Sequence, residues 1–276
     1  MRTPLRGHFP AAGYANVRDW IAAARANVVF ETTSLNRHDG QPAVDHIRAA
    51  LEYGAHAVSA NKGPVVFAYE ELRDLARARG RRFLFESAVM DGVPIFSMFA
   101  ETLPAVEVRG FRGILNSTTN VIIEQMEAGA TLEQAIGKAQ ELGVAETDPS
   151  DDIDGWDAAF KTIALSNVIM QGRLQPGDVR REGIRALTGE QVRAARASGH
   201  AYKLVCHARR QGNVILAGVG PERLPLSNPL AWINGASSAI DFATDMFPGL
   251  VLTEVNGGLE ATAYGLLADF IRVAHS

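Results

Sequence analysis

Residues 28–89 alternate between short apolar runs and helical spacing, and this alternation constrains the fold more than any other feature. "NVVFETT", "AHAVSANKG" and "RRFLFESAV" are rich in β-branched and aromatic residues, which predicts buried strands. Between them, "PAVDHIRAALEYG" and "YEELRDLARARG" repeat apolar residues at helical spacing and stop at glycine. "ANVRDWIAAARA" reads as a further helix ahead of the first strand. Strand, helix, strand, helix, strand predicts a parallel sheet with right-handed crossovers.

After Gly92 the pattern changes. "AVEVRGFRGILN" reads as a strand and "STTNVIIEQMEAG" as a helix with Ser and Thr available as caps. "TLEQAIGKAQELG" carries a capping box at Thr131 and Gln134 and stops at Gly143. From about residue 200, "AYKLVCHARR", "NVILAGVG", "SSAIDFAT" and "LVLTEV" predict a mixed or antiparallel sheet. "LEATAYGLLADFIRV" returns to helix and is expected to pack back onto the first sheet. The fold class is α/β followed by α+β.

Composition narrows the functions. The 276 residues are 47% hydrophobic, enough for a packed core. Lys and Arg are dispersed and the net charge is −4, which argues against a nucleic-acid groove or a basic membrane face. The apolar runs are too short to span a bilayer, and the opening residues lack a signal-peptide pattern. Cys206 is the single cysteine, so no internal disulfide forms; with this, a cytoplasmic setting is expected. Its alternating surroundings predict a small buried side chain on a strand, not a nucleophile.

The densest chemistry lies in "DPSDDIDGWDAAFKTIALSNVIM", residues 148–170, where five aspartates precede a lone lysine. Helical spacing puts Asp157 and Lys161 one turn apart on one face, with Asp154 in the preceding turn. The helix dipole accounts for one or two aspartates at a helix start but not for five, because like charges repel. A lysine so placed can grip a polarised oxygen or exchange a proton with it, while carboxylates receive an ammonium group. The spacing fits a structural ion pair equally well. The stretch lacks the EF-hand pattern, and the histidines show no zinc spacing. At the ends of the first two strands, "ETTS" (Glu31 to Ser34) and "SANKG" (Ser59 to Gly63) offer hydroxyls and a loop lysine, suited to a ribose, an amide or a phosphate, or to ordinary capping.

In their order along the chain, "SANKGP", "FESAVMDGVP", "RGILNSTTN", "ELGVAETDPSDDIDGWDAAFK", "LPLSNPLAWINGASSAI" and "EATAYGLLADFIRV" resemble the homoserine dehydrogenases, from Val28 to the C-terminus. That family interconverts L-homoserine and L-aspartate 4-semialdehyde with NAD or NADP. The resemblance implies that Lys161 relays the proton of the reacting oxygen and that Asp157 pairs with it. It implies substrate contacts at Glu146, Asp152 and Lys62, and cofactor contacts at Thr32, Thr33, Ser59, Lys62, Gly257 and Gly258. It further implies a sodium ion on backbone carbonyls of Glu86, Val89, Asp91 and Val93, and a homodimer. The implied division is a partial dinucleotide-binding domain at 1–86, completed by the helix at about 257–276, and a catalytic and dimerisation domain at 87–256. The Rossmann-type sheet is incomplete in this reading. "MRTPLRGHFPAAGYAN" has no G-x-G-x-x-G turn and no preceding strand to cradle a pyrophosphate. Two expectations follow: an extension upstream of Met1 in the natural protein, or a cofactor-poor relative that acts as a substrate-binding or dimerising module.

Overall fold

The computed structural model describes residues 13–275. α1 (Val17–Ala24) starts at Asn16, whose side chain accepts the Asp19 N–H. β1 (Val28–Glu31) leads through α2 (Ala43–Tyr53), which ends on Gly54, to β2 (His56–Ser59). α3 (Lys62–Phe67) follows at once, then α4 (Tyr69–Ala78) and β3 (Phe83–Leu84). The strands form a parallel sheet in the order β1-β2-β3, with Val28 opposite His56 and Glu31 opposite Ser59.

Two expectations are corrected here. Lys62 is not a loop lysine: it opens α3, because the Asn61 side chain accepts the Gly63 N–H and caps the helix. The third strand is only two residues long. Past it, the buried Glu86 carboxylate accepts the amide N–H groups of Phe96 (2.6 Å) and Ser97 (2.9 Å), bending the chain through α5 (Ile95–Ser97) and a π-turn at Met98–Thr102.

β4 (Val108–Ile114) enters a second sheet, and α6 (Ser117–Glu127) and α7 (Leu132–Glu141) follow it. The capping box at Thr131 and Gln134 is present. α6 is capped by Asn116, not by the serine or threonines after it; the Asn116 side chain accepts the Thr119 N–H at 2.8 Å. The acidic stretch forms two helices, α8 (Ser150–Ile153) and α9 (Trp156–Ile169). Gly155 between them has φ +79°, a conformation that only glycine adopts freely, and it re-aims the chain so that α9 starts on a new axis.

β5 (Val179–Arg181) and α10 (Gly189–Ala197) were not read from the sequence, the first for its brevity and the second for its polarity. β6 (His200–Gln211), β7 (Val214–Pro225), β8 (Ser238–Thr244) and β9 (Leu250–Glu254) complete a mixed sheet of order β5-β7-β6-β4-β8-β9. Only β5 and β7 pair in parallel there.

α9 joins the two sheets. It is apolar around most of its circumference and packs on α3 on one side and on β6 and β7 on the other. Its Phe160 is fully buried, 5.8 Å from the Phe67 ring. One continuous core therefore runs from Ile21 to Phe242. α11 (Leu259–Ala274) returns to the first sheet: Phe270 meets Phe30 at 5.8 Å, and the Asp269 carboxylate accepts the Glu86 N–H at 2.8 Å.

Candidate active site

The first turn of α9 holds the centre of the site. Asp157 and Lys161, four residues apart, form an ion pair at 3.1 Å, and Lys62 from the start of α3 reaches the other Asp157 oxygen at 3.2 Å. The Lys161 ammonium also donates to the Leu115 carbonyl at 2.6 Å, where β4 ends. Asn116 donates to Asp152 (2.6 Å) and to Asp157 (3.0 Å) while its carbonyl oxygen caps α6. Both lysine side chains are four-fifths covered, at 17% and 19% exposed.

This packing sets the charges. Burial pushes Asp157 up, but the two ammonium groups outweigh it and hold the carboxyl well below its ordinary range. Burial pushes Lys161 down, yet Asp157 overrides it, so the ammonium stays protonated above its usual limit. Asp152 moves the other way: burial, with Asp157 beside it, raises its pKa.

The five aspartates thus have separate employment. Asp148 accepts from Ser150, Asp151 pairs with Arg37 at 2.7 Å, and Asp154 pairs with Arg185 at 2.8 Å. Asp154 is therefore not part of the lysine's face, contrary to the helical extrapolation, because Gly155 breaks the helix between them. Asp152 and Asp157 are the two in contact with the centre.

Two cavities flank it. One, of about 440 Å³, is lined by Lys62, Asp152, Asp157, Glu146, Thr118 and Arg37, among others. The other, of about 260 Å³, brings Lys161 together with Asp91, Glu254, Gly257 and Gly258. A Cβ on Gly257 would lie 2.6 Å from the Asp91 carboxylate and 2.7 Å from that of Glu254, so a side chain there would push both carboxylates aside. Burial, with Asp91 alongside, pushes Glu254 up to about 7.

Thr32, Thr33, Ser59, Glu86, Val89 and Val93 are not among the residues that line either cavity. Thr33 and Ser59 turn their hydroxyls to the buried Glu31, while Thr32 is exposed. Around the expected sodium ligands, Met90 and Asp91 adopt left-handed conformations (φ 51° and 49°), and the Val93 carbonyl accepts the Ile95 N–H at 2.8 Å. Among the described residues no group of three or more His, Cys, Asp or Glu side chains could hold a metal, and no helix is long and apolar enough to cross a membrane. Cys206 is fully buried, and burial pushes its thiol up to about 12.

Asn116, Arg37 and Glu254 escaped the sequence reading. Asn116 carried one signal, an N-cap position before a helix, but nothing in the chain marks it as a neighbour of residues 152 and 157.

The homoserine dehydrogenase family model matches residues 94–271. An NAD(+)-dependent homoserine dehydrogenase of Pseudomonas canavaninivorans is 36% identical over 252 residues, which are 91% of this chain and 72% of that protein. The chain belongs to the homoserine dehydrogenase family. A putative homoserine dehydrogenase of Archaeoglobus fulgidus superposes with a TM-score of 0.84 at 31% identity, over 94% of this chain and 78% of that one. A hyperthermophilic archaeal homoserine dehydrogenase in complex with NADPH gives a TM-score of 0.80 at 28% identity, over 94% and 75%.

Proposed function

We propose that the chain interconverts L-homoserine and L-aspartate 4-semialdehyde with NAD or NADP, using Lys161 as the proton relay. One observation carries the reading: a nearly buried, protonated lysine, fixed by Asp157 and the Leu115 carbonyl, opens onto the smaller cavity, while its partner Asp157 lines the larger one. Homoserine dehydrogenases are what the relatives are, and they favour this reading over a cofactor-poor binding module.

The Gly257 turn and the carboxyl ends of β1 and β2 suit the nicotinamide end of a dinucleotide, since a Cβ would fill the space beside Asp91 and Glu254. Gly257, Gly258, Thr32, Thr33, Ser59 and Lys62 would hold it. When bound, the nicotinamide accepts or supplies the hydride. The chain's own residues manage the charge. In reduction the Lys161 ammonium gives its proton to the oxygen that becomes the hydroxyl; in oxidation the lysine first sheds a proton to solvent, and its neutral amine then takes the hydroxyl proton. Asp157 and Lys62 hold that field fixed, so no reorganisation is needed at the moment of transfer. Glu146 and Asp152 face the substrate's ammonium group.

The same reading includes a division into residues 1–86 with about 257–276, and 87–256. It also includes a sodium ion on the carbonyls of Glu86, Val89, Asp91 and Val93, a homodimer and a cytoplasmic setting. The test is an assay with homoserine and each nicotinamide, followed at nicotinamide absorbance. Lys161→Ala should lower kcat by about 10²- to 10⁴-fold with little loss of cofactor affinity. An unchanged kcat removes Lys161 from the mechanism.

A further inference from the structure

We propose that Lys203, which no step of the proposed reaction uses, is a positioning residue for the smaller cavity. It fastens the turn at residues 233–238, which in its own turn holds the Gly257–Gly258 turn against the nicotinamide end of the cofactor. The inference rests on the placement of the dinucleotide proposed above.

Strand β6 sends alternate side chains to opposite faces, so Ala201, Lys203 and Val205 share one face. Ala201 and Val205 join Leu230 and Ala231 in a small apolar core. Between them stands a lysine only 4% exposed. An ammonium so buried is costly unless each of its three protons meets an acceptor. Here each does. Lys203 donates to the side-chain oxygens of Asn120 (2.8 Å) and Asn234 (3.0 Å) and to the Ile233 carbonyl. One ammonium thus ties α6 to the turn. Asn120 also donates to the Gly235 carbonyl at 3.0 Å, and Glu124, one helical turn further on, accepts the Gly235 N–H at 3.1 Å. Gly235 is left-handed, at φ 59°, so the turn is gripped on both sides of its tightest point.

From there the turn reaches the site by two routes. Ala236 and Ser238 line the 260 Å³ cavity together with Lys161. Between them, Ser237 accepts the Asn256 N–H at 3.2 Å through its hydroxyl oxygen. Asn256, left-handed at φ 52°, opens the turn that carries Gly257 and Gly258 into the same cavity. The larger cavity takes no residue from either turn. A loosened Lys203 therefore weakens the grip on the dinucleotide and spares the grip on homoserine.

The experiment combines steady-state kinetics with amide hydrogen exchange. Lys203→Met keeps the length of the side chain in an apolar setting and strands three acceptors. It should raise KM for the nicotinamide about 10-fold, with kcat and the homoserine KM changed less than about threefold. Exchange should quicken in segments 233–238 and 254–258. Ser237→Ala, which cuts only the link to Asn256, should raise the same KM and quicken 254–258 alone. The double variant should be no worse than Lys203→Met, because both changes act on one path. Asn234→Ala, at an exposed position, should shift KM the same way by less, and it decides the matter if Lys203→Met does not fold. Equal rises in both KM values, an additive double variant, or quickening confined to 233–235 overturns the proposal and leaves Lys203 a local support. If exchange quickens in both segments while the nicotinamide KM stays put, the positioning stands and the placement of the cofactor fails. If wild type takes no nicotinamide at all, the proposed reaction fails and exchange alone judges Lys203.

Discussion

Asp157 is the residue on which the site's electrostatics turn, because its two oxygens separate two ammonium groups that would otherwise repel. Its removal has a sign that can be worked out. Burial alone depresses Lys161, and the carboxylate is what lifts it above its ordinary value. Asp157→Asn keeps the shape and the burial but deletes the compensating charge, so the amine must lose its proton at lower pH. The alkaline limb of kcat/KM should then move down by about 1–3 pH units. A pH–rate profile of the two proteins reads this directly, and a limb that stays in place means that Lys161 does not set it. Acid should act through the other partner. A carboxyl held below its unfolded value stabilises the fold above about pH 4, and that contribution disappears as pH falls through the lower, folded value.

At the scale of elements, the site depends on α6 and α9 meeting end to end. Asn116 performs two tasks at that junction: its oxygen caps α6, and its amide nitrogen binds Asp152 and Asp157. The tasks can be separated. Asn116→Asp keeps an oxygen cap but brings a third carboxylate against Asp152 and Asp157, whereas Asn116→Ala loses the cap, worth about 1 kcal/mol, and strands the carboxylates. The Asp variant should melt closer to wild type than the Ala variant at low pH, yet show a larger loss of activity at pH 8. Melting curves and assays at two pH values check both halves. The same junction shows what a sequence discloses. Spacing of four residues was enough to pair Asp157 with Lys161, because both lie in one helix. It misplaced Asp154, since a left-handed Gly155 resets the helical phase, and it was silent on Asn116 and Arg37, whose partners lie 36 or more residues away. Parallel strands and their helices were legible from alternation, and the brevity of β3 was not, because a buried Glu86 ends it through amides ten residues on.

For the whole molecule, α11 ties the far end of the chain back to the first sheet and the turn that follows it. Ser87 donates to the Thr262 carbonyl and Thr262 to the Asp91 carboxylate, fixing the wall of the smaller cavity from the far end of the chain. The deepest tie is Asp269, fully buried, which accepts the Glu86 N–H and pairs with Arg272 at 2.8 Å. Burial dominates these partners and pushes its carboxyl up to about 6. A carboxyl raised in the folded state holds its proton more firmly there than in the unfolded chain. Its contribution is complete below the ordinary carboxylate range and is lost as pH rises through about 6. Asp269→Asn keeps an acceptor for the Glu86 amide but cannot ionise. The difference in Tm between variant and wild type should therefore move in favour of the variant between pH 4.5 and pH 7.5, as scanning calorimetry would record. If the difference moves toward wild type instead, the Arg272 ion pair outweighs burial, and α11 is held by charge, not by a shared proton.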